Sequence, residues 1–483
     1  MVLFINAFYI RINQLAIVNL PSSLIRSLQH VKGFDEKAFI AVHESGEQIT
    51  SIRINPAKQT PFPNSQFPIP WTEYGYYLPA RPSFTLDPLF HAGTYYVQEA
   101  SSMFLEQALK QTVDLLKPLK ILDLCAAPGG KSTLIQSMMS NESLLVSNEV
   151  IKARVNILEE NIIKWGAENV IVTNNDPKDF QRLENYFDVI VIDAPCSGSG
   201  LFRKDPAAIE EWSENNVQLC SQRQQRILAD VLPALKDGGA LIYSTCSYSE
   251  TEDEGICEWL VEQLAAHGAP RVTSLQLTIE GEWGIVETQS EKHKVWGYRF
   301  FPDKVKGEGF FIAAFRKKSV DGSEQLAVGS RREGGSKSKS HGLPVSETEI
   351  LKQYLKNPQD FFFIDQKEEA LAIPLHLNDD LVLIRSSLYI KKAGVKMGKV
   401  IRGELIPDHE LALSTIINSS VKRIDVGAET AIQYLRREEI QVSSNERGWF
   451  LLTYLQMPLG WIKILPNRVN NYYPRDWRIL NKR

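Results

Sequence analysis

The sequence predicts an α/β fold whose centre is a doubly wound, mainly parallel sheet. Between about residues 118 and 318, short apolar runs alternate with helical patterns, which is typical of repeated β–α units. The run Phe187–Asp193 is almost continuously apolar, as expected for a strand that is buried on both faces. Sheets of this kind bind ligands at the carboxyl ends of their strands.

The predicted elements follow one another without long gaps. The strands are expected at residues 120–124, 144–149, 170–173, 187–193 and 240–245, and the helices begin near Lys131, run through Leu158 and span about residues 218–235. This repeated order favours short crossover connections and a parallel sheet.

Two further regions flank the predicted sheet. Residues 1–97 contain short helical stretches and a loop rich in proline and aromatic residues, and residues 344–483 mix short strand and helix patterns. Residues 319–343 are rich in Gly and Ser and predict a flexible linker. We therefore expect an N-terminal α+β region (1–97), a central domain (98–318), the linker, and a separate C-terminal α+β domain (344–483).

The composition excludes several classes of protein. Of 483 residues, 43% are hydrophobic and 23% are charged, and 54 Lys and Arg against 58 Asp and Glu give a net charge of −4. A chain with this charge can bind nucleic acid only through local basic patches. The apolar stretch Val2–Leu20 contains polar residues and lacks a basic leader, so we expect neither secretion nor a membrane anchor.

The five cysteines predict a reducing, cytoplasmic compartment and no metal site. Their number is odd and too small for a disulfide framework. None of them forms a C-x-x-C pair, which disfavours a zinc site.

The loop after the first strand, Asp123–Lys131, is the first candidate ligand site. Its glycines allow a close approach of the backbone, and the following helix offers free N–H groups. A phosphate-binding P-loop would need Gly where Cys125 stands, so Gly130-Lys131-Ser132 matches only in part, and a dinucleotide G-x-G-x-x-G motif is absent. A third interpretation is a pocket for S-adenosylmethionine (AdoMet), a ligand without phosphate.

Carboxylates at three successive strand ends favour AdoMet. Glu149 ends the second strand, where it can accept hydrogen bonds from ribose hydroxyls, Asp176 follows the third, where it can meet the adenine edge, and Asp193 ends the fourth. Three carboxylates suit a neutral or cationic ligand and would repel a triphosphate without a metal ion. The simpler alternative is that each acid caps the helix that follows it.

Two cysteines follow two strands at the same edge of the sheet. Cys196 lies in the turn after the fourth strand, and Cys246 lies in the turn after the last. Methylation of cytosine at C5 needs such a thiol, because a thiolate that adds to C6 makes C5 nucleophilic. A second group must then assist the elimination of the C5 proton and of the thiolate. Cys125, Cys220 and Cys257 can be small buried hydrophobes.

Several motifs together resemble the NOL/NOP/Sun family of RNA 5-methylcytosine methyltransferases. They are Asp193–Gly198, Ser244–Ser247, Cys125–Lys131 and Gly307–Phe311, and Val97–Ser102 resembles the start of the family's catalytic domain. Arg203–Pro206, with the size and order of the flanking regions, resembles the bacterial RsmF branch of the family, which acts on small-subunit ribosomal RNA (rRNA).

The resemblance implies a Rossmann-like AdoMet methyltransferase domain with defined residue roles. It implies Cys246 as the nucleophile, Cys196 as the assistant in elimination, and Asp193 close to the base and the methyl donor. The residues implied around AdoMet, besides Asp193, are Cys125, Ala126, Ala127, Pro128, Gly129, Gly130, Lys131, Glu149 and Asp176. The residues alone do not rank Cys196 against Cys246, and that ranking comes from the resemblance.

Several basic residues are candidate RNA contacts. Arg203 and Lys204 follow the Cys196 turn and could hold a phosphate, and Arg53 lies in an Arg-x-Asn element that resembles one in the family. The C-terminal region resembles a PUA-like RNA-binding domain. Its acid-free basic stretch contains Lys391, Lys392, Lys396 and Lys399. Near its end, basic and aromatic residues interleave, although each of those aromatics is better explained as core.

The predicted function is AdoMet-dependent methylation of C5 of a cytosine in 16S rRNA, free or within the small ribosomal subunit. We expect a cytoplasmic monomer with no metal and no membrane partner. A tRNA (cytosine-5) methyltransferase would use the same residues. Two alternatives come from other classes of protein. The residue at position 125 argues against a P-loop-type nucleotide-driven protein, and the two thiols argue against a catalytically silent RNA-binding protein of ribosome assembly.

Overall fold

The computed structural model describes residues 20–58, 67–266, 272–318 and 343–480. The stretch of residues 1–19 and the predicted linker, except for Leu343, lie outside the described residues. The N-terminal region contains the helices α1 (Ser22–Leu28), α2 (Glu36–Glu44) and α3 (Pro88–His91) and the strands β1 (Thr50–Ile54), β2 (Gly75–Leu78) and β3 (Tyr95–Val97). These strands form an antiparallel sheet in the order β2-β1-β3.

The central domain follows as an alternation of helices and strands. Its helices are α4 (Leu105–Thr112), α5 (Gly130–Met138), α6 (Lys152–Trp165), α7 (Ala207–Glu211), α8 (Glu214–Val231) and α9 (Glu254–Ala266). Its strands are β4 (Lys120–Asp123), β5 (Leu144–Asn148), β6 (Val170–Thr173), β7 (Phe187–Asp193), β8 (Leu235–Thr245), β9 (Val272–Leu275), β10 (Val286–Gln289), β11 (Trp296–Phe300) and β12 (Phe310–Lys317).

Five of these strands form the parallel centre of a sheet, in the order β8-β7-β4-β5-β6. On one side, β12 pairs antiparallel with β8 and is followed by β11 and β10, and β9 also pairs with β12. The chain order reverses at β4, so a crevice opens above the carboxyl ends of β4 and β7. The predicted doubly wound α/β domain is confirmed, with antiparallel strands added to its parallel centre.

Both faces of this sheet are buried, which explains its apolar strands. Ile121 and Leu122 are neighbours in β4, yet they belong to two different apolar clusters. Val189 and Ile190 of β7 divide in the same way, and all four side chains are fully buried. Because successive residues of a strand point to opposite faces, a strand between two cores must be apolar throughout.

The C-terminal region contains two further sheets. Its helices are α10 (Val345–Lys352), α11 (Asn378–Ser387), α12 (His409–Leu413) and α13 (Ala428–Leu435). Its strands are β13 (Phe361–Gln366), β14 (Glu369–Pro374), β15 (Ile390–Lys392), β16 (Val395–Ile401), β17 (Glu404–Pro407), β18 (Arg423–Asp425), β19 (Gly448–Tyr454), β20 (Met457–Leu465) and β21 (Arg468–Asn471). One sheet has the order β13-β14-β16-β17, and the other has the order β18-β19-β20-β21.

The structure differs from the prediction of one separate domain over residues 344–483. β15 pairs antiparallel with β6 and becomes the last strand of the central sheet. Leu381 and Ile384 of α11 are buried in the same apolar cluster as Ile190. The physical reason is that β6 would otherwise be an open sheet edge, which β15 and α11 cover. The sheet of β18 to β21, in contrast, packs mainly around a cluster of its own.

Among the described residues, no helix is both long enough and apolar enough to cross a bilayer.

Candidate active site

The loop between β4 and α5 forms one wall of the candidate site. Gly129 has a φ of +119°, a left-handed conformation that other residues rarely adopt, and α5 begins at the next residue. Asp123 is fully buried at the end of β4, and its Oδ2 accepts a hydrogen bond of 2.6 Å from the Ser132 hydroxyl. Its Oδ1 has no partner among the described residues. Burial raises the pKa of Asp123 to about 7, although the Ser132 hydrogen bond opposes the shift.

Arg53, which the sequence made a candidate RNA contact, is buried within the protein. It is 1% exposed. Its guanidinium donates to the Gln98 side chain at 2.9 Å, to the Thr133 hydroxyl at 2.5 Å and to the Gly130 carbonyl at 3.3 Å, and it lies over the Trp165 ring. The expected RNA contact of Arg53 is therefore wrong. Its guanidinium donors are occupied by groups inside the protein, where they support the start of α5 and do not face RNA.

Asp193 connects three elements at the carboxyl end of β7. Its Oδ2 lies 2.7 Å from Nζ of Lys131 in α5. Its Oδ1 accepts a hydrogen bond of 2.8 Å from the hydroxyl of Ser244 in β8. Lys131 Nζ also lies 5.2 Å from the centroid of the Phe310 ring. These contacts fix the carboxylate between the loop after β4 and the loop after β8.

The structure brings the two candidate catalytic thiols into contact. Cys196 Sγ lies 2.8 Å from Cys246 Sγ, and both cysteines are free. Their loops meet because the Gly200 N–H donates to the Cys246 carbonyl at 2.9 Å, and the Gly309 N–H donates to the Gly200 carbonyl at 3.0 Å. A Cβ on Gly200 would lie 2.5 Å from the Gly309 carbonyl oxygen, so this close approach requires glycine.

Of the two thiols, Cys246 lines a cavity of about 270 Å³ at the carboxyl edge of the sheet. Lys131 and Asp193 line the same cavity, with Glu99 and Glu308 on its other walls. A larger cleft of about 700 Å³ lies between the central domain and the C-terminal region, and neither thiol lines it. The smaller cavity is therefore the one that the candidate chemistry faces.

The surroundings of Cys196 change its affinity for a proton. The pKa of Cys196 is raised well above its ordinary value, first by the hydrogen bond to Cys246 and then by burial. These surroundings favour the protonated thiol of Cys196. Cys220 and Cys257, at 3% and 1% exposure, are core residues.

The two other candidate carboxylates lie at neighbouring strand ends. Glu149 follows β5 and is 3% exposed. Its Oε1 accepts from the Ile151 N–H at 2.8 Å, and its Oε2 lies 3.5 Å from Arg154. Asp176 follows β6 and accepts from the Lys178 N–H, so it caps the turn after it, as the simpler alternative held. Neither side chain lines the cavity of Cys246.

Arg203 and Lys204 have different surroundings although they are adjacent. Arg203 is 8% exposed, and it donates to the carbonyl oxygens of Glu47 at 2.6 Å and Gly307 at 3.2 Å. The expected phosphate contact of Arg203 therefore needs correction, because its donors hold two chain segments together. Lys204 is exposed and lines the cavity of Cys246.

The four lysines of the basic C-terminal stretch each face an acid from another part of the chain. The pairs are Lys391–Glu159 at 3.3 Å, Lys392–Glu410 at 2.7 Å, Lys396–Glu369 at 3.1 Å and Lys399–Glu368 at 3.4 Å. Lys392 is also buried. These four lysines have no acid near them in sequence but are paired in three dimensions, so they do not form the unpaired basic patch that was expected to bind RNA.

The order of these parts matches three family models. The model of the 16S rRNA methyltransferase RsmB/F matches residues 111–316, and that of the N-terminal domain of RsmF matches residues 20–100. Over 425 residues the chain is 31% identical to ribosomal RNA small subunit methyltransferase F of Shewanella loihica, an alignment that covers 85% of this chain and 83% of the relative. The chain belongs to the RsmF family. The corresponding protein of Shewanella woodyi is 32% identical over 423 residues, with 85% and 84% of the two chains covered.

Membership in the RsmF family confirms the predicted enzyme class, a methyltransferase, and the three-part architecture. The model of the RsmF PUA domain matches residues 421–479. This range contains the sheet of β18 to β21, and it does not include α11 and β15, which cover β6. The crystal structure of PH0851 has the same fold, with a TM-score of 0.53 and 24% identity over 61% of this chain and 66% of that chain.

Two buried carboxylates of this site received no role of their own from the sequence. Asp123 is a charged residue at the end of an apolar strand, a position that could have marked it. Glu252 is fully buried between the loops of Cys196 and Cys246. Nothing in the sequence distinguishes it from the neighbouring acids at the start of α9, which are typical of any helix N-terminus.

Proposed function

We propose that this chain transfers a methyl group from AdoMet to C5 of one cytosine in 16S rRNA, through a transient bond between Cys246 and C6. The observation that carries the proposal is the contact of Cys196 with Cys246 at the cavity that Lys131 and Asp193 line. The names of its relatives support rRNA of the small subunit as the substrate. We propose that the enzyme acts as a cytoplasmic monomer.

The residues at the ends of β4 and β5 fit AdoMet. The N–H groups at the start of α5 suit its carboxylate. Oδ1 of Asp123, which has no partner in the part of the chain that the structure describes, is an acceptor for its amine. Glu149 has acceptor capacity left for the ribose hydroxyls, because each of its two oxygens can accept more than the single contact described above. When bound, AdoMet supplies a methyl group on a positively charged sulfur. Carboxylates at these positions would repel a triphosphate.

The roles of the chain's own groups follow from their positions. Cys246 adds to C6 because it is the thiol that faces the cavity. Asp193, fixed by Lys131 and Ser244, can accept a hydrogen bond from the cytosine amino group and so hold the base. After methyl transfer, a water molecule takes the C5 proton, the C5–H electron pair re-forms the C5–C6 double bond, and the bond from C6 to the Cys246 sulfur breaks. Cys196 is placed to give its proton to the departing sulfur, because the two sulfurs are in contact, and it then regains a proton from solvent.

The test of the proposed function is methyl transfer from labelled AdoMet. Purified protein would be incubated in parallel with 16S rRNA, small ribosomal subunits and tRNA, and the nucleosides would be separated. We expect labelled 5-methylcytidine from rRNA or from the small subunit. Label in tRNA alone would favour the tRNA alternative, and binding without any transfer would favour the silent assembly protein.

Glu149→Ala should weaken AdoMet binding by about tenfold to a hundredfold, the effect expected from losing hydrogen bonds to a charged group. Calorimetry without magnesium measures the affinity, and the binding stoichiometry reports whether the domain stays folded. Glu142→Ala, an exposed acid of the turn before β5, is the matched control and should bind like the natural protein. Tight binding of magnesium-ATP would contradict the assignment of this site to AdoMet.

Lys204→Ala should weaken RNA binding, because a phosphate contact would be lost. The slope of log K against log salt concentration should become shallower by about one, since about one counterion fewer is released. Lys117→Ala is the control, since Lys117 is exposed near the amino end of β4, away from the cavity. Filter binding at several salt concentrations measures both. An unchanged salt slope in the Lys204 variant would exclude it as a phosphate contact.

A further inference from the structure

One buried carboxylate lies between the two loops that carry the thiols. Cys196 belongs to the loop that follows β7, and Cys246 belongs to the loop that follows β8. Glu252, at the end of the second loop, is 0% exposed. A buried carboxylate is costly unless hydrogen bonds compensate for the lost water, so its partners indicate what it holds.

The carboxylate accepts hydrogen bonds from both loops. Oε1 accepts from the Ser197 N–H at 2.8 Å, and Oε2 accepts from the Ser197 hydroxyl at 2.5 Å and from the Ser247 hydroxyl at 2.6 Å. Ser197 and Ser247 are the residues directly after Cys196 and Cys246. Each thiol is thus one residue away from a hydrogen bond to the same group.

The carboxylate is itself fixed to the sheet. The Tyr243 hydroxyl of β8 donates to the Glu252 carbonyl at 2.7 Å. The next two residues, Asp253 and Glu254, form ion pairs with the buried Arg299 of β11. Gln224 of α8 donates to Oε1 at 3.4 Å. Glu252 therefore has little freedom of its own, and a group so constrained can define the positions of the loops bound to it.

We propose that Glu252 is a positioning residue that sets the distance between the thiols of Cys196 and Cys246. As a part of catalysis this inference rests on the proposed function, but the geometric claim does not. The backbone bond from Gly200 to Cys246 also joins the two loops, but on the first loop it is made four residues after Cys196. Glu252 is the acceptor that Ser197 and Ser247 share, so without it we expect the distance between the two thiols to be less restricted. The proposed reaction needs both thiols at one base, first to add and then to eliminate, and small misplacements of reacting groups are costly.

Glu252 also influences the protonation of Cys196. It contributes to the raised pKa of Cys196, after the larger effects of the Cys246 hydrogen bond and of burial. Burial raises the pKa of Glu252 itself, whereas the hydrogen bonds from Ser197 and Ser247 lower it. Burial has the larger effect, so the pKa of Glu252 lies above its ordinary value, and the hydrogen bonds that position the loops limit this rise.

The effective concentration of the two thiols tests the geometric claim without any methylation. The protein dithiol is equilibrated with glutathione disulfide, which forms the Cys196–Cys246 disulfide and releases two molecules of reduced glutathione. Peptide mapping by mass spectrometry identifies the bond and its fraction at each glutathione ratio. We expect the natural protein to form this disulfide preferentially, and Glu252→Ala to lower the effective concentration by about tenfold or more.

Matched variants keep the test interpretable. Ser197→Ala and Ser247→Ala each remove one hydroxyl and should give smaller decreases, and they remain informative if Glu252→Ala does not fold. Glu252→Gln keeps one acceptor oxygen, so its effective concentration should lie between those of Glu252→Ala and the natural protein. Glu250→Ala, which changes a neighbouring acid that pairs with His30 at the surface, should leave the effective concentration unchanged.

Single-turnover methyl transfer supplies the functional arm, normalised to the number of sites that bind AdoMet. A residue that only stabilises the fold would lower the number of active sites, whereas a positioning residue lowers the rate per site. We expect the rate per site of Glu252→Ala to fall by about tenfold to a hundredfold. An unchanged effective concentration in Glu252→Ala and Ser247→Ala would overturn the inference. Absence of methylation in the natural protein would overturn the proposed function and leave the geometric claim standing.

Discussion

Cys246→Ala will abolish both methyl transfer and the covalent protein–RNA adduct, because no bond to C6 can form. Cys196→Ala will still allow attack and methyl transfer, but the product will leave slowly and a denaturation-resistant complex with RNA will accumulate. We expect turnover of the Cys196 variant to fall by about 10²–10⁴-fold, the usual contribution of a proton-transfer group. Denaturing gel electrophoresis with labelled RNA separates the two results.

Two further variants control this experiment. The double variant should lose the adduct again, since the first step is missing. Cys220→Ala changes a buried thiol of α8 that does not line the cavity, and it should form product without accumulating adduct. If the adduct appeared with Cys246→Ala and not with Cys196→Ala, the two roles would be reversed. If neither variant formed it and both were equally destabilised, the thiols would be structural.

Ile384→Ala will destabilise the central domain, although Ile384 lies outside the catalytic motifs. Its side chain is fully buried in the cluster that also contains Ile190 of β7. Truncation of a buried Ile to Ala costs about 2–5 kcal/mol, because it removes apolar contacts and leaves a cavity. We therefore expect a lower urea midpoint of unfolding for the variant, with the loss of AdoMet binding as the signal of unfolding.

A neighbouring residue provides the control. Val382→Ala changes a side chain of the same helix that is 63% exposed, and its effect should remain within about 0.5 kcal/mol. A chain that ends at Lys318 lacks α11 and β15, and we expect it to lose stability and AdoMet affinity together. A fully stable, AdoMet-binding fragment of that length would mean that the segment covering β6 is dispensable.

The central sheet was predictable because its signals are local. The strand Phe187–Asp193 is observed with the predicted bounds, since a strand buried on both faces must be apolar along its length. β8 begins earlier than expected, at the buried Leu235, because the polar residues and glycines at positions 236–239 interrupt its apolar pattern. The strand-end positions of Cys196 and Cys246 predicted their proximity, since the ends of neighbouring parallel strands meet.

The misjudged residues are those whose partners come from distant segments. Arg53 and Arg203 are charged residues, but their donors are occupied by carbonyl and side-chain oxygens of segments that are distant in sequence. Lys392 has no acid near it in sequence and meets Glu410 only in the folded chain. Glu252 was overlooked for the same reason, because its role depends on Ser197, 55 residues away. Periodicity describes which face a residue occupies, and it does not identify a partner on another element.

Bisulfite sequencing of 16S rRNA from the source organism tests the central claim most directly. A strain that lacks the gene would be compared with the same strain carrying the natural gene or the Cys246→Ala variant. We expect one cytosine to lose its 5-methyl group in the deletion strain, to regain it with the natural gene and to remain unmodified with Cys246→Ala. An unchanged pattern of 5-methylcytosine in 16S rRNA, or full restoration by the Cys246→Ala variant, would contradict the account.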